Sequence, residues 1–393
     1  MRILLTHRFF WPDTAPYALI LRKIGDILAN DGHEVSVFSS QPSYRNASQA
    51  EKSSPKRELL GKLSVRRVTV IQGEKNNPLA RIFNVAIYCF WLCLHILRVK
   101  PDVVMASTYP PVIAAWCASF FAKLVGAKFI YHVMDIHPEV SKFTNGFLGK
   151  GVPLRILTWL DNQTLRRSSK IIVLSEDMKN TLVERGLDNL PLEIIENLPL
   201  EDFGEQGQPP SEFLKPKGKI RAIFAGNLGK YQNLHLLAEG IAECFSAYPN
   251  LELVFMGDGQ ALAELKEKWE RHPQIKFFPF LPYQQAKEIM READIGLVSL
   301  APDIYRVAYP SKISTYRALG LPILVLVEGK WIHVTNGCPN FDKDGLGPDD
   351  FKELFNRLQT TLSGDKKDVE VPNLACALSA KFIKIFNSLV LPS

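Results

Sequence analysis

Tyr309-Pro310-Ser311-Lys312-Ile313-Ser314-Thr315-Tyr316-Arg317-Ala318-Leu319-Gly320-Leu321-Pro322 is the stretch on which the reading of this chain turns. Pro310-Ser311-Lys312 opens a helix. Gly320-Leu321-Pro322 closes it and delivers the chain into the apolar run Ile323–Val327. Helix N-termini carry free N–H groups and the positive end of a dipole. A hydroxyl and an ammonium placed there suit a phosphate or diphosphate. The same residues also read as an ordinary cap followed by a solvated lysine.

Working outward, residues 220–225 form an apolar run that reads as a buried strand. It enters Gly226-Asn227-Leu228-Gly229-Lys230-Tyr231-Gln232-Asn233-Leu234, and a helical pattern follows through Cys244. Strand, glycine-bearing turn and helix make the phosphate-approach geometry of α/β domains. Glycines let a ligand near the backbone, and Lys230 can reach forward to it.

The rest of the chain repeats this alternation. Residues 2–8, 35–38, 103–106, 128–132 and 171–174 read as strands, with helices over 18–28, 112–124, 154–166 and 176–185. Residues 203–218 are polar, with Pro209, Pro210 and Pro216, and read as a linker. Strands then recur near 220–225, 251–256, 275–278, 294–298 and 323–327, and residues 375–389 read as a last helix. Strands alternating with helices mean parallel sheets covered on both faces. A length of 393 residues fits two such domains. Two successive domains of this kind are expected to place a ligand cleft between them.

Composition narrows the function. With 46% apolar and 22% charged residues, the chain has the makeup of a globular protein. The net charge of +6 is uneven: residues 51–100 hold ten Lys and Arg against three Asp and Glu. Lys52, Lys56, Arg57, Lys62, Arg66 and Arg67 crowd together there. Such a face suits an anionic lipid surface or a lipid-linked anionic acceptor, and reads equally as a solvated loop. No aromatic-rich basic strand accompanies it, which argues against nucleic acid. Cys89, Cys93, Cys117, Cys244, Cys338 and Cys376 form no C-x-x-C pair and read as buried thiols of a reducing compartment. No zinc site is expected. The apolar segment 82–97 falls short of a bilayer span and reads as a core helix ahead of an interfacial one. No signal peptide is read at the N-terminus.

Two further segments complete the pattern: Phe10-Trp11-Pro12-Asp13 early in the chain and Asp135-x-x-Pro138-Glu139. With the Gly226-Asn227-Leu228-Gly229 turn and the Pro310-Ser311-Lys312 helix start, in this order, the sequence resembles the retaining glycosyltransferases of family 4. The similarity is to the bacterial branch that builds O-antigen, capsule and colanic-acid polysaccharides. The resemblance implies an α/β GT-B fold, two Rossmann-like parallel-sheet domains facing a central cleft. It implies an acceptor-binding domain over 1–203, a nucleotide-sugar domain over 204–372, and a C-terminal helix, 373–393, crossing back to the first domain.

It also implies site residues. Donor binding falls to Gly226, Asn227, Gly229, Lys230, Gly257, Tyr283, Ser311, Lys312 and Thr315. Asp135 and Lys312 are the catalytic candidates, and Asp13, Thr14 and His132 lie on the acceptor side. Gly257-Asp258-Gly259 reads equally as a tight turn, Tyr283 as a packing residue and His132 as a core residue. No cofactor or metal is implied; the nucleotide-diphosphate sugar is a substrate, with UDP-sugars favoured over GDP-sugars. Asp342-Lys343-Asp344, the sole Asp-x-Asp, reads as a structural loop. The expected partners are the donor, a lipid-linked or oligosaccharide acceptor and an anionic membrane. The expected location is the cytoplasmic face of the inner membrane, bound peripherally.

Departures from the family stand beside the matches. An Arg and a Lys common in the glycine turn are here Asn227 and Gln232, and two common glutamates are here Val307 and Thr315. An epimerase on the same architecture would need cleft carboxylates that the sequence supplies sparsely. A catalytically silent sugar-nucleotide binder is the remaining alternative.

Overall fold

Apolar runs of four to eight residues, punctuated by glycine and proline, become the strands of two sheets. The computed structural model describes residues 1–13, 15–43, 54–71, 77–143, 150–187, 189–199, 208–334 and 374–389. Thr14, Lys52, Cys338 and the Asp342-Lys343-Asp344 triplet lie outside the described residues. The chain divides into two compact units. The first comprises Met1–Leu198, Val307–Tyr309 and the chain from Ala375 on; the second comprises Pro199–Arg306 and Pro310–Leu374.

The first unit holds an eight-stranded sheet. Its strands are β1 (Arg2–Thr6), β2 (Glu34–Ser40), β3 (Arg57–Leu60), β4 (Leu63–Val68), β5 (Val103–Ser107), β6 (Lys128–His132), β7 (Lys170–Val173) and β8 (Leu192–Ile194). Their spatial order is 3-4-2-1-5-6-7-8, and all neighbours are parallel except β3 with β4. Helices α1 (Pro16–Asn30), α2 (Pro78–Val99), α3 (Ile113–Leu124), α4 (His137–Phe143), α5 (Gly151–Arg167) and α6 (Glu176–Glu184) link them.

The second unit holds β9 (Ile220–Asn227), β10 (Leu251–Asp258), β11 (Ile275–Phe278), β12 (Ile295–Leu300), β13 (Ile323–Val327) and β14 (Lys330–Val334). Its order is 11-10-9-12-13-14, parallel up to the antiparallel edge strand β14. Helices α7 (Leu234–Ala242), α8 (Leu262–Trp269), α9 (Tyr283–Glu292) and α10 (Ser311–Ala318) alternate with these strands; α11 (Leu374–Ser388) belongs to the first unit from Ala375 on. Strand order reverses between β9 and β12. Ligands of open α/β sheets bind where the order reverses, beyond the C-terminal strand ends.

The parallel strands and their helices stand where the alternation places them. The β3–β4 hairpin, β8 and the edge strand β14 are additions that the sequence reading does not contain. The segment 82–97 is longer than expected. Asn77 caps the helix by accepting the Ala80 amide, and Lys100 ends it in the left-handed conformation, so α2 runs over 22 residues. From Leu79 to Val99 it is long and apolar enough to cross a membrane, with 39% of the apolar window buried. Its inner face packs Asn84, Tyr88, Leu92 and Ile96. Phe83, Phe90 and Trp91 point outward, so it is not the wholly buried helix expected. The basic stretch is divided as well. Arg67 is buried, donating to the carbonyls of Pro55 and Trp11 and pairing with Glu58. Cys376 is exposed, against the expectation of buried thiols.

Candidate functional site

Strand β9 ends in Gly226 and Asn227, both exposed. Gly226 takes φ +120°, a conformation side chains rarely adopt. Beside it lies Lys312, in the first turn of α10. A Cβ on Gly226 would come within 3.2 Å of the Lys312 Cε, so the missing side chain makes room for the lysine stem. The Lys312 ammonium sits 4.5 Å from the centre of the Phe224 ring. Among the described residues no carboxylate pairs with it, and burial pulls its pKa down to about 8. Ser311 is exposed at the helix start. Pro310 precedes it without a side-chain cap; the Ile313 amide bonds the Pro310 carbonyl at 3.1 Å, and the Ser311 and Lys312 amides ahead of it are the ones that can face an anion.

Tyr316 fixes α10 against the sheet. Its hydroxyl accepts the Ala225 amide at 2.9 Å and reaches the Ile223 carbonyl at 3.2 Å, bonding the helix to β9. Gly296 in β12 makes this possible, since a Cβ there would sit 2.5 Å from the Tyr316 ring. Neither residue is in the set read from the sequence. A lone Tyr between Thr315 and Arg317 carries no signal of its own. The spacing of four residues from Lys312 is the clue available: it places Tyr316 one turn on, on the same side of the helix.

The glycine turn is closed by a residue noted as a departure. Gln232 accepts the Gly229 amide through Oε1 at 3.0 Å, within a single 3-10 turn over Lys230–Gln232. A lysine could not accept that bond. Lys230 is exposed at the start of this turn. Gly257 and Gly259 serve close backbone packing. A Cβ on Gly257, at φ +140°, would lie 1.9 Å from the Gly226 carbonyl oxygen, and one on Gly259 would lie 2.3 Å from that of Leu228. The Leu228 amide donates to Asp258 and the Ala261 amide to Leu228, stitching the two loops together. Tyr283 is half-buried at the first position of α9. Thr315 Oγ1 faces the Ser311 carbonyl at 3.4 Å, within its own helix.

The first-unit candidates gather at the C-terminal ends of β1 and β6. His132 closes β6; its Nδ1 meets the Tyr17 hydroxyl at 2.8 Å. Burial, with His7 nearby, lowers its pKa to about 3, so it is neutral at physiological pH. Its Nε2 is buried with no partner among the described residues. Asp13 is buried and accepts the Ser43 amide at 2.9 Å, holding the loop after β2. Asp135 is half-buried; its backbone bridges to Ala308, and Ile136 donates to the Val307 carbonyl at 2.7 Å. Burial raises its carboxyl above the usual range. Glu139, from the same motif, pairs with Arg185, which also binds Asp161 at 2.6 Å. That carboxylate supports the fold.

Comparison with known proteins shows the family and the fold. The family model described as glycosyl transferase 4-like domain matches residues 18–197, and that described as glycosyl transferases group 1 matches residues 219–362. Together they take in most of the chain. The chain belongs to the family 4 type of GT-B glycosyltransferases. This glycosyltransferase is 25% identical over 259 residues to the probable glycosyltransferase WbjE of Pseudomonas aeruginosa, across 64% of this chain and 63% of that protein. The match thus spans less than two thirds of the relative. Two solved structures share the fold. Sucrose-phosphate synthase (tll1590) from Thermosynechococcus elongatus aligns with a TM-score of 0.66 at 12% identity, over 99% of this chain and 98% of that one. Anabaena Alr3699/HepE in complex with UDP aligns at 0.57 and 16%, with the same coverage.

Proposed function

We propose that this glycosyltransferase moves a sugar, with retention and without a metal, from a nucleotide-diphosphate sugar to a lipid-linked glycan. The setting is polysaccharide biosynthesis on the cytoplasmic face of the inner membrane. The observation that carries the reading is the Lys312 ammonium, with no carboxylate partner among the described residues, beside the Ser311 and Lys312 amides of α10 at the switch point of the second sheet. Charge developing on a departing diphosphate is stabilised by cations and amides already in place. Lys312 and the first-turn amides supply both. Gly226, exposed and without a side chain beside the Lys312 ammonium, lets a diphosphate approach the backbone there. Asp135, with its raised carboxyl, is the candidate contact for the sugar. UDP is favoured as the nucleotide; the relative solved with UDP supports this choice by its fold alone.

The test is calorimetric titration against UDP-, GDP- and ADP-sugars, followed by turnover on a lipid-diphosphate acceptor with and without EDTA. The product anomer is read by NMR. Tight binding of one donor, with chelator-resistant transfer and a retained anomer, supports the reading. Donor binding without transfer identifies a silent binder. Conversion of the donor with no acceptor identifies an epimerase, a reaction that needs cleft carboxylates the sequence supplies sparsely.

A further inference from the structure

Helices α2, α3 and α5 pack side by side as one layer on the first sheet. Their outward face is apolar. Thirteen of the nineteen exposed large apolar side chains among the described residues lie on these three helices. Helix α2 contributes Ile82, Phe83, Phe90 and Trp91, between 43% and 65% exposed. Leu124 of α3 and Trp159 of α5, 60% and 57% exposed, extend the surface. Apolar groups scattered singly over a surface need no partner; a patch concentrated on three adjacent helices does.

Charge selects the partner. The three helices carry six cations, Arg81, Arg98, Lys123, Arg155, Arg166 and Arg167. Their one acid, Asp161, is buried against Arg185 and Tyr131. Between α3 and α5 lies a depression lined by Lys123, Lys128, Arg166 and Arg167. The Arg167 guanidinium rests 5.6 Å from the ring of Phe120, itself part of the apolar surface, so cation and patch adjoin. A second copy of the chain meeting this face would set cations against cations. An anionic leaflet satisfies both features: acyl chains for the apolar side chains and phosphates for the rim. Helix α2 lies on the surface and does not cross it. Asn84, on its inner face, is bonded to the backbone of Ile71 through both side-chain atoms, at 2.7 and 2.8 Å.

We infer that the outward face of α2, α3 and α5 seats this protein on an anionic bilayer, with the α3–α5 depression taking lipid phosphates. The inference deepens the proposed membrane-borne acceptor and rests on that reading for its purpose. It moves the docking surface away from the β3–β4 stretch, where Arg67 is internal.

The experiment is flotation of the full chain with phosphatidylcholine vesicles and with vesicles containing phosphatidylglycerol, at low and high salt. Binding to the anionic vesicles is expected, weakened but not abolished by salt. Lys123→Ser with Arg166→Ser should weaken anionic binding about thirtyfold. Phe83→Glu with Phe90→Glu should abolish binding even at low salt. All four replaced side chains are exposed, and unchanged thermal unfolding verifies that each variant folds. Wild type that floats with neither vesicle, or variants that bind like wild type, overturns the inference. A dimer in lipid-free solution that the Phe83/Phe90 variant dissolves also overturns it, in favour of self-association. Donor calorimetry on the same samples separates the two claims. Donor binding without flotation sinks the docking surface alone; flotation without donor binding sinks the glycosyl-transfer reading alone.

Discussion

Lys312→Met should make the free protein more stable and its hold on the donor weaker. Burial holds the ammonium at a pKa of about 8, against 10.5 for an ordinary lysine. Below both values the charged lysine is worse placed in the folded chain than in the unfolded one, by on the order of 3 kcal/mol. The side chain is only half-buried, and the Phe224 ring 4.5 Å away returns about 1 kcal/mol. A net gain of about 1–2 kcal/mol is therefore expected at pH 7 when methionine replaces the charge and keeps the stem. Binding should move the other way. Losing a charge-assisted contact to a diphosphate costs about 1.5–3 kcal/mol, which is roughly 10- to 150-fold in Kd. Thermal unfolding of the full chain without ligand reads the first effect, and titration with UDP reads the second. A variant that binds UDP like wild type refutes the placement of the site. One that unfolds earlier than wild type refutes the electrostatic reasoning.

Donor affinity should fall as pH rises from 7 to 9: the free lysine loses its proton at about 8, while a bound diphosphate holds it, so binding takes up a proton in that window. A flat Kd across it, by calorimetry in buffers of different ionisation enthalpy, contradicts this. Gly257→Ala should cost about 3 kcal/mol in denaturant unfolding, because its Cβ meets the Gly226 carbonyl at 1.9 Å and its φ is +140°; a loss under about 1 kcal/mol would mean the two loops separate freely. Acid should destabilise the first unit: His7 and His132 are held neutral, at about 4 and 3, while the unfolded chain takes their protons near 6.5. Stability present above 6.5 is then lost as pH falls toward those values, by about 3 kcal/mol for His7 and about 5 kcal/mol for His132, and His132→Gln should flatten the decline seen by urea unfolding.

What the sequence made legible was whatever lies in a local period. The runs at 128–132 and 323–327 are strands end for end, because a buried parallel strand reads as an apolar run. Lys312 was legible for the same local reason, as a cation one residue inside a proline-started helix. The contacts that build its surroundings are between elements far apart in the chain. The Tyr316 hydroxyl reaches β9 across 91 residues, and Gly296 matters only because that ring lies on it. Gln232 looked like a lost cation and closes the turn instead, a role that needs the folded backbone to be seen. The β3–β4 hairpin escaped because Arg57, Arg66 and Arg67 sit in strands whose charges mimic a solvated loop. Helix α2 was cut short at its arginines, although one arginine per end is normal in a helix that its neighbours already hold.

The first unit is assembled from segments on either side of the second in sequence, and that sets an order on its birth. Leu378, Phe382, Ile385 and Phe386 of α11 are buried, and the Phe382 ring meets His132 at the end of β6. The sheet made before the second unit thus waits for a helix made after it, through the whole synthesis of that unit. During that interval the slot for α11 stands open on a nascent sheet. A holding chaperone has a defined place to act there. A fusion partner attached after residue 198 would lock the vacancy in.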